Sequence, residues 1–296
     1  MEIFHHQQAA MDEIVIRATT FYAGQWENLT IQPRFASLLA GPTGSGKTTI
    51  ARLAAEKLGA KLLRLSMPGY MPAGAHNRGT KETINIIADF VARHDRTLLV
   101  LDEIDKLIGG STAGSGMAAE SWQSYIKGEI YDLCDGRWPT GLILMDDDEM
   151  DITIEALTVK LRESVFILGI GTFQSWFDDA VSRRSIGFTN TDDTDGAINA
   201  ITADVVAEMM PRELANRFNG ALIRIPELCG DDYLRVIDDA SAKLPGPIRQ
   251  AFVREAHSRL QDAIKSKKGV RFLEEAVMEA LKEASIVCTV PATPSI

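Results

Sequence analysis

The stretch Gly41-Pro42-Thr43-Gly44-Ser45-Gly46-Lys47-Thr48 decides the fold of this chain. It fits the phosphate-loop pattern G-x-x-x-x-G-K-[ST] at every fixed position. Before it, Phe35 to Ala40 reads as a short buried strand. After it, Thr49 to Leu58 has helical apolar spacing and stops at Gly59. A triphosphate needs many donors and little steric bulk. The glycines let the backbone curl so that several N–H groups face one anion. The following helix adds the positive end of its dipole. Lys47 is expected on the β- and γ-phosphates and the Thr48 hydroxyl on Mg2+. Gly41, Pro42, Thr43, Gly44, Ser45, Gly46, Lys47, Thr48 and Thr49 are thus the candidate binding loop.

Outward from the loop, apolar strands alternate with helical patterns. Lys61–Ser66, Thr97–Leu101, Ser164–Ile170 and Ala221–Pro226 read as further strands. The uninterrupted apolar run Leu98–Leu101 suits the middle of a parallel sheet covered on both faces. This pattern predicts an α/β fold, a five-stranded parallel sheet with its ligand at the strand carboxyl ends. After Pro226 only helical patterns follow, broken near Pro245-Gly246-Pro247 and Gly269. The expected division is therefore 1–226, a large α/β nucleotide-binding domain, and 227–296, a small all-α domain with a short tail. The strand ending in Asp102-Glu103 supplies a second signal. Asp102 is expected to hold Mg2+ and Glu103 to polarise the attacking water.

Composition bounds the rest. The chain has 296 residues, 45% of them hydrophobic and 24% charged, which is ordinary for a globular protein with a proper core. Its net charge of -10 argues against a surface that holds nucleic acid by bulk electrostatics. Cys134, Cys229 and Cys288 lie far apart and form no C-x-x-C pair, so a reducing compartment is expected. No apolar run is long enough to span a membrane and no secretory signal pattern is present, which predicts a cytoplasmic protein. Asp146-Asp147-Asp148-Glu149 reads as a solvated acidic loop.

The phosphate loop together with Asp102-Glu103-Ile104-Asp105-Lys106 resembles the AAA+ ATPases, and among them the Clp/HslU type, ClpX above all. The resemblance runs from about Ile3 to Leu281. It implies ATP as the nucleotide, a P-loop α/β/α domain followed by a helical lid, and a homo-oligomeric ring, a hexamer, that works on a protein substrate or effector. Ile3 and Phe4 sit where the family carries an adenine-side segment, with His6 in place of its glycine; a plain helix entry is the alternative. Thr172 corresponds to the sensor 1 position, give or take one or two residues. Arg217 matches the arginine finger that reaches a neighbour's nucleotide, with Arg212 as competitor. Arg271, in Gly269-Val270-Arg271, matches the sensor 2 box.

Three loops bear on what hydrolysis drives. Tyr70 and Met71 fall where the family has an aromatic–aliphatic pore loop that grips an extended polypeptide. Here Pro72 departs from that pattern, and a tyrosine packed on its own subunit is the alternative. Residues 111–117 fall at the second pore loop. Ile186-Gly187-Phe188 resembles the loop that docks a ClpP-like peptidase; a locally packed turn is the other reading. The core begins close to Met1, and the amino-terminal zinc-binding domain of ClpX is not expected here. Three functions follow: a threading unfoldase or remodeller, a regulatory switch acting on one effector, and a DNA-associated motor or loader. The last rests on Arg183-Arg184 and the lysine-rich stretch Lys265–Lys268.

Overall fold

The computed structural model describes residues 3–24, 26, 29–30, 33, 35–73, 81–107, 117–139, 153–173, 210–218 and 221–289. Five parallel strands form one sheet: β1 (Ser37–Ala40), β2 (Lys61–Ser66), β3 (Thr97–Asp102), β4 (Val165–Gly171) and β5 (Leu222–Arg224). Their order is β2-β3-β4-β1-β5, so β1 lies between β4 and β5 and the chain reverses direction of travel across the sheet there. Ligands of open α/β sheets bind at such a switch point, outside the strand carboxyl ends.

Burial explains the strand sequences. β1, β3 and β4 are buried at every residue, whereas the edge strand β2 exposes Lys61, Arg64 and Ser66. In β3, Leu99 and Leu101 enter one core while Leu98 and Val100 enter another. Phe166, Leu168 and Ile170 of β4 join the second core, and Val165 and Ile167 the first. A strand that must be apolar on both faces cannot show alternation, which is why these runs are continuous.

The first core is closed by α3 (Thr83–Ala92), α4 (Met117–Cys134) and α5 (Ile154–Ser164), through Ile84, Ile87, Ile130 and Leu157. The second is closed by α1 (Gln8–Tyr22) and α2 (Lys47–Leu58), through Met11, Ile14, Ile50 and Leu53. Burial of a side chain such as Phe166, fully enclosed beneath α1, contributes about 2–3 kcal/mol. A short α6 (Arg212–Ala215) precedes β5.

Three helices follow the sheet: α7 (Gly230–Ala242), α8 (Gly246–Lys265) and α9 (Phe272–Thr289). They pack around a third core of Val236, Ile237, Phe252 and Phe272. Pro245 precedes α8 and Gly269 lies in the 3-10 turn that leads into α9, as the sequence breaks suggested. Ile3 packs against the second core and Phe4 against the third, so the opening segment bridges the sheet layer and the carboxyl-terminal helices. His5 reinforces the bridge, with Nε2 at 3.2 Å from Asp232 and Nδ1 at 3.5 Å from Asp239 on α7.

Candidate active site

The phosphate loop joins β1 to α2 at the carboxyl end of the sheet. Its carbonyls are engaged by donors from several elements. The Lys47 ammonium donates to Gly41 O at 2.7 Å and Pro42 O at 2.8 Å. The Val270 N–H donates to Gly44 O at 3.0 Å, and the Ile50 N–H to Gly46 O at 3.0 Å. Gln7 Nε2 donates to Ser45 O at 2.8 Å. With the Gly44, Ser45 and Gly46 carbonyls engaged by Val270, Gln7 and Ile50, and the Lys47 ammonium folded onto the loop, the loop has the make-up of an anion site.

The 3-10 turn that leads into α9 touches this loop directly. Gly44 (φ +78°) and Gly269 (φ +61°) meet so closely that a Cβ on Gly44 would lie 2.3 Å from the Lys268 carbonyl oxygen, and one on Gly269 2.6 Å from the Gly44 oxygen. Neither position admits a side chain. Backbone in the left-handed region recurs around the site. Glu103 (φ +59°), Phe173 (φ +48°) and Lys267 (φ +51°) are the non-glycine examples among the described residues. They follow β3, follow β4 and precede the Lys268-Gly269 turn respectively. Such conformations cost about 1–3 kcal/mol each and concentrate at functional sites.

Asp102 ends β3 with 5% exposure. Its Oδ2 lies 3.4 Å from Thr48 Oγ1, and its Oδ1 accepts the Glu103 N–H at 3.0 Å. The sequence expected these two residues to share a metal, and the structure brings them together across two elements. Glu103 is exposed, and Ser66 Oγ donates to its Oε2 at 3.3 Å. Arg64 is a residue the sequence reading missed. Its Nε donates to Asp102 Oδ2 at 2.6 Å from the neighbouring strand. The signal lay in the register, which sets Ser66 beside Asp102 and Arg64 beside Val100, and a single sequence does not print strand neighbours. Thr48, Asp102 and the N–H face of the loop fit Mg·ATP. Thr48 and Asp102 would hold the ion, which supplies charge neutralisation at the β- and γ-phosphate oxygens.

Thr172 stands just past β4, and its hydroxyl donates to Asp105 Oδ2 at 2.8 Å; the Phe173 N–H reaches the same oxygen at 3.2 Å. Asp105 was read only as part of the acidic motif, yet it ties the end of β4 to the turn after β3. Arg271 is exposed, and its charge acts on Lys47.

Burial, opposed by Asp105 and Asp102 and aided by Arg271, holds the Lys47 ammonium down at about 8. Triphosphate binding needs the charged form. Above that pH the free protein has lost the proton and must take it back to bind. Nucleotide binding at about pH 9 is therefore expected to take up a proton and to weaken up to tenfold per pH unit above about 8. Calorimetric titration in two buffers of different ionisation enthalpy measures the uptake.

Arg217 lies on the opposite side of the strands. It follows α6, and its guanidinium is engaged at every edge: Nη2 to Asp135 at 2.8 Å, Nη1 to Glu213 O at 2.7 Å, Nε to Tyr131 O at 3.3 Å. It also stacks 4.3 Å from the centre of the Tyr131 ring. Asp135 lines a cavity of about 400 Å³ with Phe35, Ala36 and Val165, at the amino-terminal ends of β1 and β4. The phosphate loop leaves the other end of β1, so Arg217 does not serve the nucleotide site of its own chain. Arg212, its competitor, is exposed and has no ion pair among the described residues.

Tyr70 differs from expectation. It does not project from its loop: the ring is 4% exposed within the first core, and its hydroxyl donates to Glu129 Oε2 at 2.8 Å. The Ala73 N–H donates to the other Glu129 oxygen at 2.6 Å. Burial pushes the Glu129 carboxyl and the Tyr70 hydroxyl upward, which keeps the proton on the phenol. Met71 is half-buried, and its N–H donates to Thr83 Oγ1 at 2.8 Å. Bonds to Thr83 and Glu129 thus hold the segment after the 3-10 turn Met67–Gly69 against α3 and α4. The alternative reading, a tyrosine packed on its own chain, is what the structure shows. Residues 111–116, the acidic run 146–149, Arg183-Arg184 and the Ile186-Gly187-Phe188 tripeptide lie outside the described residues. Among the described residues no helix is long and apolar enough to cross a membrane.

Comparison with known proteins agrees with this geometry. The profile of the family described as "ATPase family associated with various cellular activities (AAA)" matches residues 37–185. ATPase family gene 2 protein homolog B of Bos taurus is 36% identical over 102 residues, 33% of this chain and 12% of that protein. The ClpA homolog protein of Fuscovulum blasticum is 39% identical over 77 residues, 23% of this chain and 10% of that protein. The peroxisomal Lon protease homolog 2 of Kluyveromyces lactis is 38% identical over 90 residues, 27% of this chain and 8% of that protein. The chain spans about a tenth of the length of these curated relatives.

Proposed function

The chain belongs to the AAA family of ATPases, and from that premise we propose that it is an ATP-hydrolysing ring protein that remodels a protein partner. The observation that carries this reading is the division of the site: Lys47, Thr48, Asp102 and Glu103 gather at one end of the sheet, while Arg217 is held at the other against Asp135 and Tyr131. Released from Asp135, a finger at that end serves a neighbouring subunit, which requires like copies joined head to tail; a ring is the closed form of such an assembly. In this reading residues 1–226 bind nucleotide, and residues 227–296 form a lid whose Gly269 turn rides on the phosphate loop. Mg2+ sits with Thr48 and Asp102, Glu103 polarises water, and Thr172 and Arg271 sense the γ-phosphate. Resemblance to Clp-type unfoldases supports a polypeptide as substrate and a hexameric, cytoplasmic assembly. Docking to a ClpP-like peptidase through Ile186-Gly187-Phe188 is part of the same reading.

A second reading is an ATP-driven switch that holds or releases one effector without threading it. The inward Tyr70 favours it, because a ring hydrogen-bonded to Glu129 offers no grip to a channel.

One experiment separates these. ATPase rate per subunit is measured against protein concentration, alone, with an unfolded polypeptide such as casein, and with double-stranded DNA. The ring reading expects specific activity to climb with concentration, and threading expects casein to raise it further. Specific activity flat down to demonstrable monomer would rule out the ring. A steep concentration dependence with no response to casein selects the switch, and stimulation by DNA alone selects a nucleic-acid motor.

A further inference from the structure

Gln7, just before α1, touches the phosphate loop from behind. It is 2% exposed. Its Nε2 donates to the Ser45 carbonyl at 2.8 Å, and its Oε1 accepts the Phe4 N–H at 3.0 Å. One end faces an acceptor and the other a donor, so the carboxamide has a single satisfied orientation. Gly46 makes the room. With φ +83°, it would place a Cβ 2.2 Å from Gln7 Nε2. A buried carboxamide costs folding free energy unless paired, and its partner outside its own turn is the nucleotide loop.

We propose that Gln7 is a positioning residue for the phosphate loop: it holds the Ser45 carbonyl at the rear, so that the Gly46 N–H of the same peptide unit points forward to the triphosphate. In a trans peptide the C=O and the following N–H lie on opposite edges of one plane. Tethering one edge therefore aims the other. Without the tether the plane is free to rotate, and ordering it becomes a cost of nucleotide binding rather than of folding. The proposal rests on reading residues 41–48 as the triphosphate site.

The test uses the full chain and three substitutions. Gln7→Met keeps length and removes both hydrogen bonds. Gln7→Asn keeps the carboxamide one methylene short. Gln7→Glu turns an acceptor toward the Ser45 carbonyl. Affinity for Mg·ADP is measured by calorimetry, melting temperature without nucleotide by circular dichroism, and steady-state ATP turnover alongside. Met and Asn are expected to weaken Mg·ADP roughly tenfold, and Glu more. Melting without nucleotide should change little for Met and Asn and fall for Glu, whose carboxylate is buried against an acceptor; KM should rise more than kcat falls. If Gln7→Met does not fold, Asn and Glu carry the same comparison. Affinity within about twofold of wild type, or a loss that only tracks the melting temperature across the variants, would overturn the proposal. Lys47→Ala is the control for the underlying site. If it binds Mg·ADP like wild type, the triphosphate reading fails, whatever Gln7 does.

Discussion

Replacing Glu103 by glutamine is expected to slow ATP turnover by about 10²–10⁴-fold while leaving ATP affinity near that of wild type. Glutamine matches glutamate in shape but does not accept the proton of the attacking water. The substitution therefore removes about 3–5 kcal/mol of barrier lowering and little ground-state binding. Geometry supports the choice of Glu103 over its neighbours. Asp102 is buried and already paired with Arg64 and the Glu103 N–H, whereas Glu103 is exposed, where water has access. Its backbone is held at φ +59°, a conformation that a side chain adopts only under constraint. Phosphate release and binding of a fluorescent ATP analogue measure the two effects separately. Undiminished turnover would remove Glu103 from the chemistry.

Arg217→Ala is expected to lower turnover by about 10³–10⁵-fold, the scale of a lost arginine finger, again with ATP binding retained. A merely structural arginine would also be missed when removed, since it pairs with the largely enclosed Asp135. Asp135→Asn tells the two apart. If Arg217 only braces α4, breaking the pair from either side gives the same defect. If it acts on a neighbour's nucleotide, Asp135→Asn frees the guanidinium and leaves turnover intact or raised. Equal losses from both variants would reduce Arg217 to an intrachain brace.

Much of the sheet was legible because parallel strands buried on both faces must be continuously apolar, and β1, β3 and β4 are. The phosphate loop and Asp102-Glu103 were legible because their chemistry depends on residues close in sequence. The contacts that complete the site are not local. Gln7 precedes Ser45 by 38 positions, and Arg64 and Asp102 are equally far apart. Their meeting follows from register and from the path of the opening segment, neither of which leaves a spacing signature. Tyr70 shows the converse. Its position in the chain suggested an outward residue, but Glu129, 59 residues away, supplies a half-buried acceptor that draws it in. Aromatic side chains carry both an apolar body and a polar handle, and one unseen partner decides which way they turn.

The most direct test of a site shared between subunits is to mix two inactive proteins. Arg217→Ala keeps Glu103, and Glu103→Gln keeps Arg217. In rings assembled at random from equal amounts, about a quarter of the interfaces join an intact Glu103 to an intact Arg217. Phosphate release from the mixture is expected to climb well above the sum of the separate proteins, toward that fraction of the wild-type rate. A mixture that co-assembles, shown by its mass, yet releases no more phosphate than the two variants apart would contradict the shared site.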